Sequence, residues 1–188
     1  MPKQLKKSPT HNTLRVVAGR LRHRRFNDVE GETTRSTKDR VKEAIFNRLQ
    51  HQKNFNSVLD LYAGSGSLAI EAYSRGASNV VAIELDKPAF DILQENCNAL
   101  EARINTRLMH ALTYLETVDS SYDVIIVDPP YDADLYEKTL TLIHQNKRLN
   151  PHGNVVVLHE HPLPEFKAFK CLKNQRYGRT QVTYFEER

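Results

Sequence analysis

The sequence predicts an open α/β sheet of the Rossmann-like kind, mostly parallel and covered by helices on both faces. Three observations carry this. Short apolar runs alternate with stretches of helical period from residue 57 to residue 159. The run Val58-Leu59-Asp60-Leu61-Tyr62 leads through Ala63-Gly64-Ser65-Gly66-Ser67 into a helical stretch, the order of a nucleotide-binding turn. The run Val124-Ile125-Ile126-Val127 stops at Asp128-Pro129-Pro130-Tyr131, because two prolines have no N–H to continue a central strand.

The elements follow in order. Alternating apolar residues Leu14, Val16 and Ala18 predict a hairpin or short strand pair over residues 14–28. A helix is expected from about Thr37 to Gln50, with Val41, Ala44, Ile45 and Leu49 on one face. Ser36 suits its N-cap, with Asp39 three residues on. Strands and helices then alternate over 57–62, 67–75, 79–84, 87–101, 105–109, 122–128, 134–146 and 153–159. The segment 180–185 alternates like a strand and is expected beside one near Phe169. This divides the chain into a basic extension over residues 1–53 and a catalytic domain over residues 54–188.

Two candidate sites meet at strand ends, where open α/β sheets bind ligands. Gly64 and Gly66 allow a tight turn and close backbone approach. Glu84 ends the next apolar run at a separation that suits an acid accepting from both ribose hydroxyls. Asp60 precedes the turn. An acid there suits a positive amino group better than a pyrophosphate, which would rest on the helix start. S-adenosylmethionine carries such an amino group and a sulfonium. The plainer role for Asp60 is to cap the turn through backbone N–H groups. Asp128-Pro129-Pro130-Tyr131 offers two acceptors and a flat ring, which a nucleobase amino group needs.

On these motifs the chain resembles the RsmD-type methyltransferases, which modify guanine N2 in small-subunit (16S) ribosomal RNA. The resemblance spans Leu14 to Arg20, Thr34 to Asn47, Leu59 to Leu68, Ser74 to Ala77, Asp128 to Tyr131 and Tyr177 to Thr180. It implies a class I S-adenosylmethionine-dependent methyltransferase fold, with a seven-stranded sheet and an antiparallel last strand. It implies S-adenosylmethionine as cofactor and S-adenosylhomocysteine as product, held by Asp60, Tyr62, Ala63, Gly64, Ser65, Gly66, Glu84, Leu85, His110, Ala111 and Asp128. Asp128, Pro129, Pro130 and Tyr131 would be catalytic. Two positions depart from the family pattern. Ser36 stands where proline is usual, and His110 where many such enzymes have an acid that contacts the adenine amino group. A neutral imidazole accepts through one nitrogen.

Charge is uneven along the 188 residues. Residues 1–27 hold eight Lys and Arg and no acid, so the rest of a chain with net charge +4 carries −4. A basic end on an acidic body suggests an arm that neutralises phosphates. Residues 1–12 read as a solvated tail, and Arg15, Arg20, Arg22, Arg24 and Arg25 as RNA contacts; the resemblance implies that Arg35 also faces the cofactor or RNA. Such contacts give affinity with little sequence choice.

No stretch suits a membrane span, and the first residues lack the apolar core of a secretion signal. Cys97 and Cys171 lie far apart, as thiols of a reducing cytoplasm do. His159-Glu160-His161 reads as a polar strand end rather than a metal site. A monomer acting on 16S RNA within a small-subunit particle or assembly intermediate is expected. Two rival readings are a DNA adenine-N6 methyltransferase and a non-catalytic RNA-binding assembly factor.

Overall fold

The computed structural model describes residues 13–29, 35–52, 54–130 and 133–188. Two strands, β1 (Thr13–Arg15) and β2 (Arg25–Asn27), form an antiparallel pair. Helix α1 (Arg35–Leu49) follows. Then come β3 (Ser57–Asp60), α2 (Ser67–Ser74), β4 (Asn79–Glu84), α3 (Lys87–Ala99), β5 (Asn105–Leu108), α4 (Ala111–Thr117), β6 (Tyr122–Val127) and α5 (Ala133–Gln145). The chain ends with β7 (Leu149–His159), β8 (Phe169–Tyr177) and β9 (Thr180–Glu187).

The seven-stranded sheet runs β5-β4-β3-β6-β7-β9-β8. All pairs from β5 to β7 are parallel, and β9 is antiparallel to both its neighbours. Strand β3 pairs with β4 on one side and β6 on the other. The connections therefore diverge at β3 and β6 and leave a crevice at their carboxyl ends. Successive residues along β6 point to opposite faces, and both are buried. Val124 and Ile126 pack with α1, α2 and α3, while Ile125 and Val127 pack with α4 and α5. That is why the strand reads as an unbroken apolar run.

Two expected boundaries differ. Helix α1 opens at Arg35, so Ser36 lies inside its first turn rather than at the cap. Asp39 turns away from that start: its Oδ2 accepts from Arg15 Nε at 2.7 Å, and Lys42 lies 3.5 Å from its Oδ1. Strand β7 begins at Leu149, ahead of its apolar run, through a register shift opposite β6. Asn150 Nδ2 secures that shift by donating to Asp123 Oδ1 at 2.8 Å.

The N-terminal pair shares the core of the main sheet. Leu14, Val16 and Phe26 pack in the same cluster as α1, α2 and α3. Its tip is tied to α2 by one buried acid: Val17 N and Ala18 N donate to the two Glu71 oxygens at 2.8 and 3.0 Å. Arg75 Nε, one turn on, donates to the same carboxylate at 2.8 Å. Ser74 Oγ donates to the Ala18 carbonyl at 2.6 Å. Gly19 has φ +83°, and a Cβ there would lie 2.0 Å from the Ser74 carbonyl oxygen, so only glycine lets the two backbones meet. Ser74 ends α2 at the amino end of the sheet, because α2 starts beside the carboxyl end of β3 and returns toward β4. The hairpin tip thus sits at the end opposite the crevice.

Replacing Glu71 with Ala leaves buried Arg75 unpaired and two amides without acceptors. Urea unfolding is expected to show a loss of about 3–5 kcal/mol; an unchanged midpoint would mean that the hairpin docks by other means.

Candidate active site

The crevice at the ends of β3, β4 and β6 opens into a cavity of about 590 Å³. Leu61, Tyr62, Gly64, Glu84, Leu85, His110, Ala111 and Asp128 line it, joined by Asp86, Lys87, Pro88, Met109, Pro130 and Leu135. Residues expected from three separate strand ends therefore meet in one space. Ala63, Ser65 and Gly66 complete the turn beneath it. Ala63 and Ser65 are buried, and Gly66 has φ +84° and precedes α2. A Cβ on Gly66 would lie 2.4 Å from Leu93 Cδ1, so the turn lies flush against α3.

Glu84 organises the cavity. Its Oε2 accepts from Gly64 N at 2.7 Å, and its Oε1 from Leu85 N and Asp86 N at 2.8 and 2.7 Å. One carboxylate thus joins the glycine turn to the loop after β4. A carboxylate has about four acceptor sites, so one remains for a hydroxyl in the cavity. Asp86 caps α3, its Oδ2 accepting from Ala89 N at 3.0 Å.

Asp60 lies below the cavity rather than on its wall, with 1% exposure. Its Oδ2 accepts from Ala69 N at 3.1 Å, so the plainer capping role is present. Its Oδ1 is buried and has no hydrogen-bond partner among the described residues. Burial, aided by the charge of Asp128, pushes its pKa up to about 7. An orphaned acceptor and a surplus of acid at neighbouring strand ends fit a cationic ligand. Tyr62 is held by a 2.7 Å hydrogen bond between its hydroxyl and Thr139 Oγ1.

Asp128 is exposed at the end of β6, Pro129 is buried and Pro130 lines the cavity. Tyr131 lies outside the described residues, as do Thr34 and residues 1–12.

His110 uses one ring nitrogen inside the fold. Its Nδ1 accepts from Leu112 N at 3.2 Å and caps α4. A neutral ring with Nδ1 so engaged carries its proton on Nε2, and that nitrogen can only donate.

The arginines chosen from sequence are scattered. Arg15 pairs with Asp39. Arg20 lies 3.5 Å over the Tyr73 ring, and Arg24 donates to the Ala99 carbonyl at 3.0 Å, at the amino end of the sheet. Arg22 and Arg25 are exposed. Arg35 enters as the first residue of α1. His159 uses both ring nitrogens locally, toward Thr183 Oγ1 at 2.8 Å and the His161 carbonyl at 2.7 Å. Cys97 is buried, which raises its thiol pKa to about 11, and Cys171 is exposed. No described helix is long and apolar enough to cross a membrane.

Asp86, Lys87 and Pro88 were missed from sequence. The helix-start pattern of an acid followed closely by proline was there to find them. Glu71 was missed too. Its signal was a lone acid in the apolar stretch Leu68-Ala69-Ile70-Glu71-Ala72 with an arginine four residues on.

Comparison with known proteins agrees with this geometry. A family model described as Conserved hypothetical protein 95 matches residues 14–186. Ribosomal RNA small subunit methyltransferase D of Haemophilus influenzae is 34% identical over 170 residues, covering 85% of this chain and 87% of that protein. The protein of the same name from Escherichia coli is 33% identical over 185 residues, covering 95% and 92%. Among solved structures, the Thermus thermophilus 16S ribosomal RNA guanine-N2 methyltransferase RsmC, in complex with AdoMet and guanosine, superposes with a TM-score of 0.70 at 21% identity. That match covers 95% of this chain and 50% of RsmC, and it bears on the fold alone. The model match and the two relatives identify the chain as a member of the Conserved hypothetical protein 95 family, the RsmD-type methyltransferases.

Proposed function

We propose that this chain transfers a methyl group from S-adenosylmethionine to the exocyclic N2 amine of a guanine in small-subunit ribosomal RNA. One observation carries the reading: Asp128, an acceptor at the end of β6, stands on the rim of an acid-lined cavity organised by Glu84. The names of the relatives supply the RNA class, and the resemblance around Arg35–Asn47 and Asp128–Tyr131 supplies the base and atom.

The cofactor brings a methyl group already activated on a sulfonium. The chain's task is therefore alignment, which lowers a barrier by several kcal/mol. Glu84 offers its remaining acceptor site to a ribose hydroxyl. Leu85, Met109 and Ala111 give apolar walls for the adenine, and His110 Nε2–H donates to a ring nitrogen. Asp60 answers the cationic amino group from below, through the turn. The Asp128 carboxylate and the Pro129 carbonyl accept from the guanine amino group and turn its poor lone pair toward the methyl carbon. Tyr131 stacks on the base, worth roughly 1–3 kcal/mol. The guanine enters out of its stack or from a loop.

The catalytic work falls to residues 54–188, and the extension over residues 1–53 adds affinity for RNA. Arg22, Arg24 and Arg25 would meet phosphates of a large RNA far from the reacting base. The substrate is the RNA within a small-subunit particle or an assembly intermediate, met by a monomer in the cytoplasm.

Asp128→Ala tests the catalytic assignment. Transfer to small subunits from cells lacking the protein should fall at least 100-fold, with cofactor affinity in calorimetry within a few-fold of the parent. Equal turnover would remove Asp128 from the reaction. Glu84→Ala should weaken cofactor binding at least tenfold, and an unchanged affinity would contradict its ribose role.

The raised pKa of Asp60 sets a pH dependence. Its carboxyl is neutral below about pH 7 and charged above. A cationic ligand prefers the charged form, so cofactor affinity should rise roughly fivefold to tenfold from pH 6 to 7.5. The ligand's own amino group titrates near pH 8 and works in the opposite sense, so Asp60→Asn is the control and should lose the rise. Identical pH profiles in calorimetry would rule out the contact.

A further inference from the structure

We infer that the turn between β8 and β9, through Arg176 and Arg179, is the surface that grips the RNA backbone beside the reacting base. This rests on the proposed RNA methylation. It assigns to RNA a pair of cations remote from the basic N-terminus.

The location follows from register. Val127 of β6 pairs with Val157 of β7, and His159 of β7 pairs with Gln181 of β9. Gln181 is therefore level with Pro129, two residues beyond Val127. Arg176 pairs with Gln181, and the turn Gly178-Arg179 projects further in the same direction. The turn stands beyond the carboxyl ends of the strands, on the side where Asp128 is presented. Neighbouring strands lie about 4.8 Å apart, so the two or three steps from β6 put the turn roughly 10–14 Å to the side of Asp128. Phosphates flanking a base held at Asp128 fall within that range. The tip bearing Arg20, Arg22 and Arg24 lies at the opposite end of the sheet, packed on the last residues of α2 and α3.

The turn is built to hold its backbone and Arg176 still. Gly178 has φ +62°, and Arg179 after it has no positive φ, the pattern of a two-residue type II′ hairpin. Such a turn follows the twist of the strands and keeps them paired to the last residue, here Tyr177 with Thr180. Arg176 Nε donates to the Gly178 carbonyl at 2.8 Å, which leaves the terminal guanidinium nitrogens free to point outward. Tyr177 packs its ring on the core at the base of the turn.

The charge has no internal use. From Phe169 to Thr180 the chain carries Lys170, Lys173, Arg176 and Arg179 and no acid. Lys173, Arg176 and Arg179 are exposed and form no ion pair among the described residues. Lysines on an edge strand discourage sheet-to-sheet pairing, and that accounts for Lys170 and Lys173. It does not account for Arg179 in the turn beyond the strand, nor for arginine rather than lysine at Arg176, the strand position nearest the turn. Arginine in a fixed fork suits phosphate oxygens.

The test uses the full chain and small ribosomal subunits from cells lacking it. Binding is measured between 50 and 200 mM salt, and steady-state transfer at 150 mM salt. The double variant Arg176→Ala, Arg179→Ala is expected to flatten the log affinity against log salt slope by about 1.5–2. It should raise KM at least tenfold with kcat within twofold, and leave S-adenosylmethionine affinity unchanged. Arg176→Lys with Arg179→Lys should restore most of the slope, because charge is kept. A double alanine variant with the parent's slope and KM would overturn the assignment while parent transfer upholds the methylation reading. A parent that neither binds nor methylates the subunit would refute both.

Discussion

A single carboxylate holds the site together. Glu84 accepts from Gly64 of the glycine turn and from Leu85 and Asp86 of the loop after β4. These segments follow neighbouring parallel strands, and besides this acid a backbone bond from Ala63 N to the Ile83 carbonyl at 2.9 Å links them. Without that acid, three backbone N–H groups at the bottom of the crevice would need water, and the turn after β3 would lose its register with the turn after β4. The positions of Gly64, Leu85 and the Asp86 cap of α3 depend on this clasp.

The same economy explains why the crevice is acidic. Carboxylates that satisfy backbone donors close the ends of β3 and β4 and the start of α3: Asp60 toward Ala69, Glu84 toward Gly64, Asp86 toward Ala89. Asp128 adds a fourth acid at the end of β6. Packing these charges together has a cost, visible in Asp60, whose ionisation is pushed to about 7 by burial and by Asp128. A phosphate-bearing ligand would increase that cost. A cationic one relieves it, and ligand choice follows from how the turns are closed.

Much of this was legible in the sequence. The sheet could be read because its central strands are buried on both faces and so appear as unbroken apolar runs bounded by Gly64 and by Pro129-Pro130. The link between Gly64 and Glu84 was legible as a spacing, although its partner was expected to be a ribose rather than the Gly64 amide. What escaped depends on tertiary geometry. His110 looked like a free acceptor because a cap is invisible until the next helix is known to start at Ala111. Ser36 looked like a cap because two residues of uncertainty in the start of α1 change its role. The arginines of the hairpin read as a nucleic-acid arm, but composition carries no direction. Only the docking of Gly19 on Ser74 reveals that the tip lies at the far end of the sheet. Arg179 entered the sequence reading only as part of the Tyr177–Thr180 resemblance and Arg176 not at all, because their place beside Asp128 comes from three successive strand registers.

The most direct test of the account is mass analysis of nucleosides from small-subunit ribosomal RNA, taken from cells that lack this protein and then treated with the purified chain and S-adenosylmethionine. The account predicts one new N2-methylguanosine per RNA with the parent and none with Asp128→Ala. Methylation of adenine, of another guanine atom, or of no nucleoside at all would contradict it.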